Sequence, residues 1–429
     1  VNTLAAAQAL AEKALADVPD APGLCRCAFE FSPEFYDLLA WLGAQPGFPQ
    51  FYWRSREGNE EVATLGAACT FSSLDEAQAF LHKHADTPGL RVWGLNAFDP
   101  QNGLFFLPRL ELRREDDRAW LIVNIYSACS QYKAAQALKP LIHNLQPARH
   151  TLLQRPPRRV SRCDIPQAQQ WAQLVGAATH AIERGDFAKV VLARATDLRF
   201  LAPPDATALM AASREANHHC YHFYLAFSAR EAFLGSTPER LWRRNGLALD
   251  TEALAGTVEN LPDDSQAQAR AIWLLNDDKN RRENALVVED IRARLAPIAH
   301  SITTRLPEVM RLRRVQHLRC AMTARLFAPD DAACLHQLQP TAAVAGLPRE
   351  AARRFIAEHE PFEREWYAGS AGYLSMEQSE FCVSLRSARL KDETIRIYAG
   401  AGLVAGSQAA LEWQEIENKA AALLTLLTS

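Results

Sequence analysis

Gly185-Asp186-Phe187-Ala188-Lys189-Val190-Val191-Leu192-Ala193 is the stretch on which the reading of this chain turns. A polar Gly-Asp turn hands over to an apolar run, Val190 to Ala193, with the length and composition of a buried strand. A lysine opens that run. Burial disfavours an ammonium ion, so a lysine placed there is a candidate for a neutral amine serving as a base. The alternative is a strand-end lysine that lays its stem on apolar surface and reaches water.

Outward from this stretch, helices and strands alternate. Residues 167–184 carry a helical pattern, and 269–295 read as one long helix. Tyr373-Leu374 and 381–385 read as strands joined by a polar turn. Residues 395–399 form another strand that runs into a turn at Gly400-Ala401-Gly402, and 413–427 read as a terminal helix. Residues 21 to about 155 have a different texture. Phe51-Tyr52-Trp53 and Val62 to Leu65 flank the turn Glu57 to Glu60, a hairpin pattern. A second hairpin is expected from 104–107 and 120–123, with a helix at 74–84 beside it. The segment Gln154 to Arg159, with three arginines and two prolines, reads as a surface connection. Residues 1–20 suit an amphipathic helix and lack a secretory signal pattern.

The 429 residues are 48% hydrophobic and 23% charged, the balance of a globular protein with a substantial core. A formal net charge of -3 gives no global attraction for nucleic acid or an anionic membrane. No apolar run is long enough to span a bilayer. Nine scattered cysteines include no C-x-x-C pair, so a zinc site is not indicated. They are expected to be mostly buried free thiols in a reducing, cytoplasmic setting.

Several side chains could carry chemistry. Glu239 follows the turn Gly235-Ser236-Thr237-Pro238 and is either a site acid or a helix-start charge. Glu283 lies in one helical segment, and Glu412 and Glu415 share a face of another through their i, i+3 spacing. Like carboxylates repel unless solvated or bridged by a cation, and all-oxygen ligands suit magnesium. Arg386, inside an apolar strand, needs an anionic partner, either an internal carboxylate or a ligand. Tyr367, Lys419 and the turn amides at Gly400 and Gly402 complete the anion-binding candidates. Gly400-x-Gly402 is not a dinucleotide fingerprint, no nucleophile elbow occurs, and the twelve histidines form no ligand cluster.

Taken in order, these segments resemble the chorismate-utilising family, which includes anthranilate synthase large subunits and aminodeoxychorismate, salicylate and isochorismate synthases. The resemblance spans 181–429. It rests on the Lys189 stretch, Pro238-Glu239-Arg240-Leu241, Ala255-Gly256-Thr257, Glu283-Asn284, Val315-Gln316-His317-Leu318 and Leu338-Gln339-Pro340-Thr341. It continues through Tyr367-Ala368-Gly369, Arg386-Ser387-Ala388, Ala399-Gly400-Ala401-Gly402 and Glu415-Ile416-Glu417-Asn418-Lys419. With Gly94 to Pro100 included, the whole chain is similar to the menaquinone-pathway isochorismate synthases.

The resemblance implies an α+β fold with two stacked antiparallel sheets sandwiched by helices (α/β/β/α). Residues 1–155 are then a strand-rich region contributing to the same fold, and 156–429 the catalytic region. It implies Lys189 as base and Glu239 as acid. Magnesium falls to Glu283 and Glu415, with Glu412 direct or through water. Tyr367, Arg386, Gly402 and Lys419 bind the carboxylates of chorismate, and Thr257 and His317 orient it. Lys189 stands where anthranilate synthases have glutamine, and Ala255 where aminodeoxychorismate synthases have a nucleophilic lysine. Ala343 stands where lyase members carry threonine. The expected activity is reversible isomerisation of chorismate without an obligatory protein partner. A salicylate synthase, a siderophore-pathway isochorismate synthase and a non-catalytic sensor are the alternatives.

Overall fold

The computed structural model describes residues 2–33, 37–148 and 155–428. The expected surface connection therefore begins at Gln154, outside the described residues, and 155–158 lead directly into the strand Arg159–Ile165.

Every strand pairing is antiparallel. One ladder runs from Gly23–Phe31 through Arg118–Ser127, Gly103–Glu115, Glu60–Phe71 and Gln50–Arg54 to Tyr221–Ser228. It continues through Glu231–Thr237, Ser387–Lys391 and Thr394–Leu403 to Lys189–Phe200 and Arg159–Ile165. A second ladder leaves the other end of Gly103–Glu115. It passes through Val92–Asn96, Ser370–Leu374, Gln378–Val383, Arg240–Asn245 and Ala248–Glu259 to Val315–Leu326. The two ladders are the two stacked sheets. Strands from the first 155 residues pair with later ones in both: Gln50–Arg54 with Tyr221–Ser228, and Val92–Asn96 with Ser370–Leu374.

The period-2 geometry of a strand explains the layering. In Lys189–Phe200, Val190, Leu192 and Leu198 share a core with Trp171, Val175 and Ala178 of the helix Ala168–Glu183. Ala193 and Ala195 belong instead to the core between the sheets, with Tyr221, Phe223, Leu241 and Trp242. Lys189 has the parity of Ala193, so its side chain enters the interior between the sheets. Trp53 and Trp93, fully buried, are among the largest side chains filling that interior. Each such aromatic contributes more than the roughly 1.5–3 kcal/mol of a buried aliphatic side chain.

Three local expectations are corrected. The helix expected over 269–295 is two helices, Asp264–Asn276 and Asp278–Leu295. Asp277 separates them in an extended conformation, and its carboxylate accepts from Asn280 N as an N-cap for the second. Gly400 and Gly402 form no turn, because Thr394–Leu403 runs straight through them in register with Ala193 and Val191. The cysteines are all free, but only Cys220, Cys320, Cys334 and Cys382 are buried. Cys129, just beyond a strand end, and Cys163, on an edge strand, are exposed. No helix among the described residues is long and apolar enough to cross a membrane.

Candidate active site

The chain crosses between the two sheets twice at one place. Pro238-Glu239 links Glu231–Thr237 in the first sheet to Arg240–Asn245 in the second. Ser384-Leu385-Arg386 returns from Gln378–Val383 to Ser387–Lys391. The crossings lie side by side. Val383 N donates to Glu239 O at 3.0 Å, and Ser236 N to Arg386 O at 3.1 Å. Arg386 therefore lies between strands, not inside one as expected, with φ of 45°. Glu239 starts no helix, which removes the helix-start reading.

Glu239 is 3% exposed. Burial, reinforced by the Glu252 carboxylate, pushes it up to about 8, against the opposing pull of Lys189, Arg386 and Lys419. It is a carboxyl group that keeps its proton at neutral pH. Glu252, equally buried, behaves in the opposite way. Burial opposes its ionisation, but Arg56 at 2.8 Å and Arg319 at 3.1 Å outweigh that and hold its carboxyl below the usual range. Arg56 also donates to Pro238 O at 2.7 Å, so a loop of the first hairpin braces the crossing that carries the acid.

Arg386 has no carboxylate partner among the described residues. Its Nη2 donates to His317 Nε2 at 2.7 Å. A guanidinium only donates, so Nε2 accepts and the ring proton sits on Nδ1, facing Thr257 Oγ1 at 3.0 Å. Burial, then the charge of Arg386, pushes His317 well below the usual imidazole range, which agrees with this neutral tautomer. Thr257 and His317 are register partners on neighbouring strands of the second sheet. Asn280 Oδ1 accepts from Thr257 N at 3.0 Å and ties that strand to the helix Asp278–Leu295.

The same helix presents Glu283 to the first sheet. Lys189 is fully buried, and its Nζ lies 3.2 Å from Glu283 Oε1. The contact lacks hydrogen-bond geometry, and no other partner satisfies the amine. The role of Gly402 is spatial: a Cβ there would stand 2.2 Å from Glu283 Oε1 and 2.9 Å from Lys189 Cε. A Cβ at Gly400 would stand 2.7 Å from the Tyr367 hydroxyl. The two glycines leave the room these side chains occupy.

Glu412 and Glu415 come from the helix Ala409–Leu424. Lys279 pairs with Glu412 at 2.9 Å, and Lys419 with Glu415 at 3.0 Å while also donating to Gly400 O at 2.8 Å. Burial and the neighbouring Glu415 push Glu412 up to about 7, with Glu283 adding to the repulsion. Three carboxylates that feel one another, each turned to a lysine, are an all-oxygen donor set of the kind magnesium takes. They form no closed cage: among the described residues no three His, Cys, Asp or Glu side chains stand together at metal-binding spacing.

Glu239, Thr257, Glu283, His317, Ala343, Tyr367, Arg386, Gly402 and Lys419 line one cavity, which holds only about 40 Å³. That is room for a few waters. A ring bearing two carboxylates enters only if side chains of this lining move apart. Burial pushes Tyr367 up to about 12, so it stays a hydroxyl donor. Glu412 and Glu415 lie behind this lining, within electrostatic reach of Glu283. Sequence reasoning missed Arg56, Glu252, Lys279 and Asn280. Glu252, an acid inside the apolar strand pattern before Ala253-Leu254-Ala255, was the one visible signal.

Residues 94–428 match the family described as chorismate binding enzyme. The isochorismate synthase MenF of Escherichia coli strain K12 is 54% identical over 422 residues, 96% of this chain and 95% of that protein. The isochorismate synthase MenF of Pasteurella multocida is 39% identical over 400 residues, 91% and 90% of the two chains. The solved structure of MenF, the menaquinone-specific isochorismate synthase from Escherichia coli, superposes with a TM-score of 0.96 at 52% identity over 100% of both chains. Anthranilate synthase component I from Streptococcus pneumoniae, 21% identical, shares the fold with a TM-score of 0.72 over 85% of this chain and 92% of that one. The crossings at Glu239 and Arg386, the two ladders and these likenesses agree: the chain belongs to the chorismate binding enzyme family.

Proposed function

We propose that this chain is an isochorismate synthase, an isomerase that adds water at C2 of chorismate and removes the C4 hydroxyl, and that it supplies menaquinone synthesis. The carrying observation is a fully buried amine, Lys189, beside Glu283, together with a buried carboxyl, Glu239, pushed up to about 8, which with Glu283 lines one small cavity. Water addition and hydroxyl loss need a base and an acid of this kind together. The likeness to the MenF proteins supports both the activity and the pathway.

In this reading Arg386 and Tyr367 turn to the enolpyruvyl carboxylate, with the Gly402 amide beside them. Arg386 is free to do so because, among the described residues, its side chain is hydrogen-bonded to a neutral histidine alone. Glu283 and Glu415, with Glu412 directly or through water, would hold magnesium, which would supply positive charge for the ring carboxylate, and Lys419 adds positive charge there. When bound, the ion neutralises the ring carboxylate and draws electron density towards it. When Glu283 turns away from Lys189, the buried ammonium loses its counter-charge and gives its proton to solvent, and the neutral amine then accepts a proton from the water that attacks C2. Glu239 gives its proton to the hydroxyl departing from C4 as the ring double bonds shift. The reverse reaction uses the same two groups with roles exchanged. His317 and Thr257 orient the substrate. Ala343 lines the cavity without a hydroxyl, which suits an enzyme that stops before pyruvate is lost.

Purified protein incubated with chorismate and magnesium, with products separated by chromatography, tests the reading. Isochorismate without pyruvate, lost in Lys189→Ala, is the expected result. Pyruvate with salicylate would move the chain to the lyase branch.

A further inference from the structure

The helix that presents Glu283 to the catalytic cavity walls a second and larger one with its other face. This groove holds about 550 Å³ and is lined by residues of the helix, the strand Val315–Leu326 and the link between Ala299–Thr304 and Glu308–Arg311. Its size falls within the range of small-molecule sites. Leu275, Ala285, Val288 and Leu318 give it an apolar floor.

Its rim is cationic. Arg281, Arg282, Arg292 and Arg305 line it, against two acids, Asp278 and Glu289. Arg292 is held by Thr304 Oγ1. The guanidinium groups of Arg281, Arg282 and Arg305 have no hydrogen bond or ion pair among the described residues. Most arginines in this molecule are paired, as Arg244 is with Asp331 and Arg364 with Glu360. Three unpaired forks beside an apolar floor are complementary to a molecule with an apolar body and an acidic head, which a planar guanidinium can grip through two oxygens.

We propose that this groove is a binding site for a small organic anion with an apolar body, separate from the catalytic cavity. The two cavities share one helical turn. Arg282 and Asn284, on either side of Glu283, both line the groove. Asn284 Nδ2 also donates to Ala253 O at 3.1 Å, Ala255 O at 3.0 Å and Leu318 O at 3.2 Å, which fixes that turn to the second sheet. The proposal rests on the groove alone and does not depend on the reaction assigned to the catalytic cavity.

The test is a fluorescence titration of the full chain with 8-anilinonaphthalene-1-sulfonate, an apolar body with one anionic head, competed with decanoate. One saturable site per chain is expected, displaced by decanoate and retained when chorismate is present. Arg305→Ala and Arg281→Ala, both at exposed positions, are expected to weaken binding about tenfold each, the scale of one charge-assisted contact. Val288→Glu should abolish it. If the glutamate variant does not fold, the two arginine variants still decide, provided their melting temperatures match the parent. Displacement of the probe by chorismate with no effect of either arginine variant would place it in the catalytic cavity and overturn the proposal. So would probe binding that disappears as the chains associate in sedimentation, since the groove would then be an interface between copies.

Discussion

Arg386 Nη2 stands 2.7 Å from His317 Nε2, and that neutral ring is the guanidinium's side-chain hydrogen-bond partner. A half-buried arginine without a carboxylate partner among the described residues is costly unless an anion arrives. Arg386→Ala is expected to raise the KM for chorismate about 10–100-fold, the effect of losing one or two charge-assisted hydrogen bonds. Steady-state kinetics checks it. An unchanged KM with a lowered kcat would place the guanidinium at the reacting bonds instead.

The proton on Glu239 sets a pH limit. With its carboxyl raised to about 8, the acid is lost as pH climbs through that value, and kcat should fall with it. Glu239→Gln should lower kcat by about 10²–10⁴-fold and abolish that limb. Stability follows the same sign. The folded state holds this proton from the ordinary carboxyl range up to about 8, whereas the unfolded chain releases it, so Glu239 lowers stability as pH rises across that window. Thermal melts at pH 9 should find the glutamine variant more stable than the parent.

Gly402→Ala places a methyl group 2.2 Å from Glu283 Oε1. The carboxylate is the far end of a side chain and can swing aside, so the cost in stability should be modest, about 1–3 kcal/mol. The displacement of Glu283 and Lys189 should cost activity on the order of 10²-fold. A melting curve and kcat on one preparation separate the two, and a variant of full activity would show that neither group needs its present position.

Magnesium should bind the chain directly. Calorimetric titration of chelator-treated protein is expected to show one site, weakened in Glu283→Gln and Glu415→Gln. Binding should tighten as pH rises through about 7, because Glu412 must lose its proton to ligate. Turnover that survives exhaustive chelation would remove the ion from the reaction.

Local signals were legible and long-range ones were not. Apolar runs located most strands, but the local pattern left Lys189 either buried or reaching water, and its burial is settled only by the elements that pack on both faces of its sheet. The boundary at Asp277 was missed because the periodicity of 269–295 continues across it, and only the cap on Asn280 reveals the break. Gly400-Ala401-Gly402 looked like a turn because glycine also marks turns. Its use here, leaving room for Glu283 and Tyr367, depends on residues brought in from distant segments. Arg56 and Glu252 were invisible as a pair for the same reason, being 196 positions apart. The carboxylates could be named, with Lys189 and Lys419 among the candidates, but Lys279 could not, since it meets Glu412 only when two helices pack.

The pairing of Lys189–Phe200 with Thr394–Leu403 has a consequence for how the protein is made. On a ribosome, the Lys189 strand emerges long before the strand that pairs with it and leaves room for Glu283. The helix bearing Glu412 and Glu415 follows later still. A chain interrupted before Thr394 would leave one edge of the Lys189 strand unpaired, and one interrupted between Leu403 and the helix would pair that edge but lack both carboxylates, so neither fragment holds the full set of site residues.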